Sequence, residues 1–247
     1  MPLLGASSET WAPTLRRSVR LLREFGHEQS DPARFYGVLA EDSADMLASY
    51  VPLEGVQLLD VGGGPGYFAD SFTRAGATYY SVDVDSDLAD ESGRRRRVIG
   101  SGTALPFRTA AFDVAYSSNV LEHVSDPWQV AEEMLRVVRP GGLAFISYTV
   151  WYGPWGGHET APWHFLGGHF ARRRYRRKNG VEPKNRFGES LFPVTVRDGL
   201  AWARSQHRTE LIDVTARYNP RWAHFLLRIP LVREVATWNL VIVIRKH

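Results

Sequence analysis

Residues 58–70, LLDVGGGPGYFAD, constrain the fold more than any other stretch. An apolar run ends in Asp60 and passes into glycines at 62, 63, 64 and 66 before a helical pattern begins. Backbone without Cβ reaches positive φ and can approach a bound group closely, and a helix opening just beyond such a turn directs free N–H groups at a polar ligand. Strand, glycine turn and helix in that order mark a nucleotide-binding α/β unit. Spacing narrows which nucleotide. The dinucleotide pattern G-x-G-x-x-G/A, counted from Gly62, reaches Gly64 and then Tyr67, whose ring would block close helix–strand packing. A phosphate-binding P-loop closes on Gly-Lys-Ser/Thr, and no lysine occurs before Lys178.

Composition sets bounds. At 247 residues, 44% hydrophobic and 23% charged, the chain can bury a full core as one α/β domain without staples. It has no cysteine, which excludes disulfides, thiolate metal sites and cysteine nucleophiles. No run of 18 apolar residues occurs, and residues 1–13 carry neither a basic leader nor an apolar segment of export length, so a cytoplasmic protein is expected. The net charge of +3 is mild, but Arg172, Arg173, Arg174, Arg176, Arg177 and Lys178 cluster, and Arg94 to Arg97 form a second run. Nothing like an RNA-binding module accompanies them, so both are read as solvated faces and no nucleic-acid partner is expected.

In chain order, 14–25 has the spacing of an amphipathic helix, and Asp31-Pro32 opens a second helix that runs toward Tyr50 and stops at Pro52. Residues 56–61 and 78–84 read as strands around a helix over 67–74, which Gly76 closes. Asp83 stands at the tip of the second strand, about 20 residues past the glycine turn, where a carboxylate can accept from ribose hydroxyls. Short strands at 98–100 and 112–119, a helix capped by Asp126-Pro127 and ended by Arg139-Pro-Gly-Gly, and a strand over 143–150 follow. Ligands of open parallel sheets lie off the carboxyl ends of strands, which places Asn119, Glu122 and His123 near the reacting end of a bound cofactor.

Asp60, Gly62, Gly64 and Gly66 satisfy acid-x-G-x-G-x-G, and GSGTALPF at 100–107, VLEHV at 120–124 and LRVVRPGGLAFIS at 135–147 follow in order. The series resembles the class I S-adenosylmethionine (SAM) methyltransferases, and the strings RFYG and WYGPWGGHE resemble an actinobacterial-looking subgroup over nearly the whole length. The resemblance implies a Rossmann-like α/β fold: a seven-stranded, mostly parallel sheet with one antiparallel strand, plus a substrate-cap insertion. The chain then divides into N-terminal helices (1–52), a SAM-binding core (56–150), the cap (151–194), and a C-terminal helix with the last two strands (195–247). The resemblance also implies that Asp60, Gly62, Gly64, Gly66 and Asp83 bind SAM, helped by Ser101, Gly102 and Asn119, with Tyr36 leaning over the cofactor. Ser101 stands where the family usually has an acid toward the adenine amino group, so a neutral acceptor replaces a charged one. VLEHV further resembles the Glu-x-x-Glu-His string with which quinone O-methyltransferases can hold a divalent ion. Asn119 stands in place of the first carboxylate, and no metal is expected.

Residues 151–170 carry Trp151, Trp155 and Trp163 with His158, His164 and His169 among glycines and prolines, too broken for one regular element. Starting at the tip of the fifth strand, they are read as an aromatic cap over a small-molecule acceptor. The histidine spacings match no standard metal site. His158 paired with Glu159 is the first candidate base and His123 the second, since methyl transfer to a hydroxyl requires a proton acceptor. Strands are expected at 210–218 and 238–245. The apolar and arginine-rich stretch between them is read as packing on the cap, with peripheral membrane contact as the rival reading. The expected reaction is O-methylation of a small aromatic, polyketide-like, glycosylated or lipid-linked acceptor. N- or C-methylation and a non-catalytic SAM-fold partner are the alternatives, and oligomeric state is left open.

Overall fold

The computed structural model describes residues 11–27, 30–85 and 96–247, so Arg94 and Arg95 of the second basic run lie outside it. The strands are β1 (Gln57–Val61), β2 (Thr78–Asp83), β3 (Arg96–Ile99), β4 (Phe112–Ser118), β5 (Val138–Thr149), β6 (Thr209–Ala216) and β7 (Asn239–Lys246). They form one seven-stranded sheet in the order β3-β2-β1-β4-β5-β7-β6. β1 to β5 pair in parallel, while β7 runs antiparallel to both β5 and β6. β7 is therefore the one reversed strand, as the resemblance implies.

Successive strand residues point to opposite faces. Leu58, Phe145, Val241 and Val243 face one core, closed by Leu21 of α1 (Leu15–Phe25), by Phe35, Leu39 and Met46 of α2 (Pro32–Ala48), and by Phe72 of α3 (Ala69–Arg74). Leu59, Ile146, Ile242 and Ile244 face the other, closed by Val130 and Met134 of α4 (Pro127–Val137). A further helix, α5 (Gly168–Asn179), lies in the cap, and α6 (Val196–Ser205) adds Leu200 and Trp202 to this second core. With both faces covered, the central strands read as unbroken apolar runs. Thr14, Asp31, Asp126 and Thr195 each accept a hydrogen bond from the third amide of the helix they open. Each such cap stabilises its helix by about 1 kcal/mol.

Several boundaries differ from expectation. α3 begins at Ala69 rather than 67, because Gly66 N donates to Gly63 O and Ala69 N to Gly66 O, making a turn of residues 66–68. β5 starts at Val138, before the glycines. Its pairing with β4 shifts register between Phe112 and Val114, and Gly141 takes φ +84 in the excursion. The segment between β6 and β7, ending in α7 (Val232–Ala236), meets the cap at its end, where the Trp155 and Trp238 ring centroids lie 6.1 Å apart, and packs on β6 and α6. There Glu234 accepts from the first amides of α6, Val196 N at 2.8 Å and Arg197 N at 2.9 Å, while Trp222, Phe225 and Leu231 stay exposed. The basic run lies on α5, where Glu182 and Glu189 pair with Arg172 and Glu182 also with Arg176, as suits a solvated face. No helix among the described residues is long and apolar enough to cross a membrane.

The strand order reverses between β1 and β4, and at such a switch point the connections leave on opposite faces and open a crevice at the strands' carboxyl ends.

Candidate active site

Beyond Val61 the chain turns through Gly62, Gly64 and Gly66 at φ of +78, +50 and +82. At Gly62 a Cβ would sit 2.8 Å from Val120 Cγ1, so glycine is required there by space as well as by φ. At Gly64 nothing lies within 4 Å of a Cβ position, leaving the backbone open to an arriving ligand. Gly64 N donates to Asp83 Oδ2 at 2.8 Å, and Asp85 N to Asp83 Oδ1 at 3.0 Å. Asp83 thus ties the glycine turn to the tip of β2, and each of its oxygens keeps a further lone pair for a hydroxyl.

A cavity of about 490 Å³ runs over this floor, lined by Gly62, Asp83, Ser101, Gly102, Asn119 and His123 among others. Ser101 Oγ accepts from Thr103 N at 3.2 Å and lies 2.7 Å from Thr103 Oγ1, so an exposed hydroxyl pair stands where the family acid is usual. A ribose acceptor, a glycine floor without Cβ and a neutral polar rim fit the nucleoside end of SAM.

Asp60 is placed otherwise. It is 2% exposed, behind the turn, and its Oδ2 accepts from Tyr79 OH at 2.6 Å, so it props the loop instead of lining the cavity. Burial pushes its pKa up to about 7, the Tyr79 hydrogen bond opposing and the charge of Asp83 adding to the rise. An unfolded aspartate titrates near 3.9. Between those values the folded chain holds a proton that the unfolded chain has released, so this group's stabilisation falls as pH rises from about 4 to about 7, by up to about 4 kcal/mol. Asp60→Asn is expected to flatten that slope. Thermal unfolding at pH 5 and pH 8 tests it, and equal slopes in the two proteins would refute the assignment.

A second cavity of about 390 Å³ opens beside the first, walled by Phe25, Phe35, Tyr36, Trp155, Tyr218 and Trp238, with Asn119, His123, Thr149, His158 and Glu159 as its polar atoms. Asn119 and His123 line both cavities. Tyr36 stacks on Tyr67 with ring centroids 5.1 Å apart and planes 2° from parallel. Expected over the cofactor, its ring on α2 lines the aromatic cavity and not the glycine-floored one.

The expected His158–Glu159 pair is not formed. Glu159 accepts from Asn185 N at 2.7 Å and Asn185 Nδ2 at 2.9 Å, which fastens the cap to itself. His158, at φ +46, turns instead toward His123, their ring centroids 5.0 Å apart. The carboxylate beside these two is Glu122, 1% exposed, on the turn Leu121–His123 that follows β4. Its Oε1 accepts from Thr149 N at 3.0 Å. Burial holds the His158 imidazole below its ordinary pKa, with the charge of Glu122 working against that. His164 and His169 stay apart from this group: His164 is buried with Nε2 3.2 Å from Gly153 O, and His169 packs edge-on to Phe187. The string VLEHV contains Glu122, but its partnership with a cap histidine depends on how residues 151–160 fold back.

A glycine turn at a switch point, an acid at the tip of the next strand and an aromatic cavity joined to the first at two polar residues define a class I methyltransferase arrangement. Residues 59–146 match the family described as a methyltransferase domain. An "Uncharacterized methyltransferase" of Mycobacterium sp. (strain KMS) is 52% identical over 94% of this chain and 95% of its own length. A solved SAM-dependent methyltransferase from Mesorhizobium loti superposes with a TM-score of 0.55 at 20% identity, covering 84% of this chain and 98% of that one. The [4+2]-cyclase SpnF superposes at 0.52 with 21% identity over 83% of this chain and 80% of its own, so the sheet by itself does not fix the chemistry. The chain belongs to the class I SAM-dependent methyltransferases, and SAM is its cofactor.

Proposed function

We propose that the protein methylates a hydroxyl oxygen on a small, ring-bearing, largely apolar acceptor. The observation that carries this reading is the aromatic cavity that meets the glycine-floored one at Asn119 and His123, with two imidazoles and two carboxylic acids near the junction. Bound SAM supplies a methyl group already activated by its sulfonium, so the protein's tasks are alignment and removal of the acceptor's proton. In this reading Gly62, Gly64, Gly66 and Asp83 hold the cofactor's backbone-facing side, Ser101 and Gly102 its base, and Asn119 the end nearest the acceptor. Asn119 is held for that role by Asn239 Nδ2, 2.7 Å from its Oδ1. Phe25, Trp155 and Trp238 give the acceptor ring faces to pack on. Removal of the hydroxyl proton falls to the group of Glu122, His123 and His158, with Glu122 in the place expected of Glu159. Walls of this kind suit aromatic, polyketide-like or lipid-linked acceptors, and a glycosylated one through the faces of its sugar rings.

Purified protein incubated with methyl-labelled SAM and a panel of phenols, hydroxylated polyketides and matched amines tests the reading, the label being located by NMR of the product. O–CH3 is expected, and His158→Ala is expected to lower kcat at least about 100-fold while leaving the SAM Kd unchanged. Label on nitrogen or carbon, or an unimpaired His158→Ala, would overturn it.

A further inference from the structure

Buried polar atoms without partners are rare and each costs about 1–3 kcal/mol. Two of those in this protein belong to one cluster of residues: Glu122 Oε2 and His158 Nε2 are both buried and lack a hydrogen-bond partner. His123 completes the cluster, and its Nδ1 is 2.8 Å from Ser190 O. A carbonyl can only accept, so Nδ1 carries a proton, and in the neutral imidazole this leaves the lone pair on Nε2. Glu122 is oriented in the same way, its other oxygen fixed by Thr149 N. One donor atom from each of the three residues lies within 4.8 Å of the others.

Two imidazoles and one carboxylate, each oriented by a backbone group or held by a turn, form the donor set of mononuclear zinc and non-haem iron sites. Tetrahedral bonds of about 2.0–2.2 Å place such donors about 3.3–3.6 Å apart, so closure of at most about 1.5 Å from the 4.8 Å bound brings the three into range. Hydrogen bonding accounts for this cluster less well. Neither orphaned atom meets a hydrogen-bond partner, although each belongs to a residue that offers a ligand atom within 4.8 Å of the other two residues'. Asn119, in the first ligand position of the metal-binding string, has its Oδ1 engaged by Asn239 Nδ2. The third ligand comes instead from the cap, 35 residues beyond His123 in the chain, which sequence spacing does not reveal.

We propose that Glu122, His123 and His158 bind one divalent transition ion, with zinc as the best match to the donors, and that its open position faces the aromatic cavity through His123 and His158. The inference deepens the proposed function and rests on it only for the ion's role. With the ion held, the three residues would act on the acceptor's proton through it rather than by accepting it themselves: a hydroxyl meeting the ion would be made more acidic and would give its proton to solvent water. The oxygen's electron pair then forms the bond to the methyl carbon, while the carbon–sulfur pair returns to the sulfonium sulfur. The ion also joins the cap to the sheet, since two ligands follow β4 and the third lies in the cap.

Protein stripped with a chelator and titrated with Zn²⁺ by calorimetry, and with Co²⁺ by visible absorption, tests the site without any acceptor or SAM. One ion per chain with submicromolar Kd is expected. Glu122→Gln keeps an acceptor for Thr149 N, and His158→Gln keeps much of the side chain's volume. Each is expected to weaken binding at least 100-fold, whereas His169→Gln leaves it unchanged, with circular dichroism confirming that all are folded. Absence of stoichiometric binding, or binding that survives both Glu122→Gln and His158→Gln, overturns the proposal. If the chelated protein binds no ion yet still O-methylates an acceptor, the metal site falls and the proposed function stands. If the ion binds as expected and the label appears on nitrogen or carbon, the site stands and the reading of the acceptor falls.

Discussion

Asp83→Ala is expected to weaken SAM binding about a thousandfold while leaving the protein folded. The carboxylate has two duties. It accepts from Gly64 N and Asp85 N, which fixes the glycine turn against the tip of β2, and its remaining lone pairs face the cavity where a ribose would lie. Charge-assisted hydrogen bonds are worth roughly 1.5–3 kcal/mol each, and the loss of two amounts to about 4 kcal/mol, or three orders of magnitude in Kd. Asp83→Asn separates the duties. Its amide oxygen can still accept from Gly64 N, so the turn is retained, but one edge of the group becomes a donor and the charge is gone. An intermediate loss, about 30-fold, is expected there. Calorimetric titration of both variants with SAM is the measurement. A Kd within threefold of the parent for Asp83→Ala would mean that the cofactor does not use this strand tip.

The glycine turn and its tie to Asp83 are legible because their geometry is set by spacing: only certain positions after a strand take positive φ, and the tip of β2 lies beside them. Gly62, Gly64 and Gly66 all have positive φ, as the pattern requires. What spacing does not carry is depth. Asp60 belongs to the same motif but lies behind the loop, because a residue inside β1 faces a neighbouring layer rather than the strand's end. Tyr36 shows a related limit, since the placing of α2 over the sheet decides which of two adjoining cavities its ring lines. His158 and Glu159 are adjacent in sequence and diverge in space. A 3₁₀ turn over His158–Thr160 sends one toward β4 and the other toward Asn185. Adjacent residues on such a turn do not share a face, so His158 meets Glu122 through the fold rather than its chain neighbour Glu159.

The same fold-dependent placement makes Arg217 the residue whose truncation should cost the most stability. It is 1% exposed, with no carboxylate among its hydrogen-bond partners. Its guanidinium donates to Ser118 Oγ at 2.9 Å, to Ser147 Oγ at 3.2 Å and to Ser43 Oγ, tying α2 to β4 and β5. Two of the serines do not depend on it as donors: Ser43 Oγ donates to Leu39 O, and Ser147 Oγ donates to Asn239 Oδ1 at 2.7 Å. Asn239 in turn donates to Asn119, so the buried arginine is the far end of a chain of hydrogen bonds that terminates at the junction of the two cavities. Arg217→Ala opens a cavity and removes three bonds, and is expected to lower the unfolding free energy by roughly 4 kcal/mol in urea and to weaken SAM binding through a loosened Asn119. Arg217→Met refills much of the volume, leaves Ser43 and Ser147 still donating and abolishes the cost of burying a charge, so its loss should stay below about 1.5 kcal/mol. If the methionine variant proves as unstable as the alanine variant, packing is not what the residue supplies. The positive charge would then be the required feature, and an anion at the cavity junction would be the group it serves.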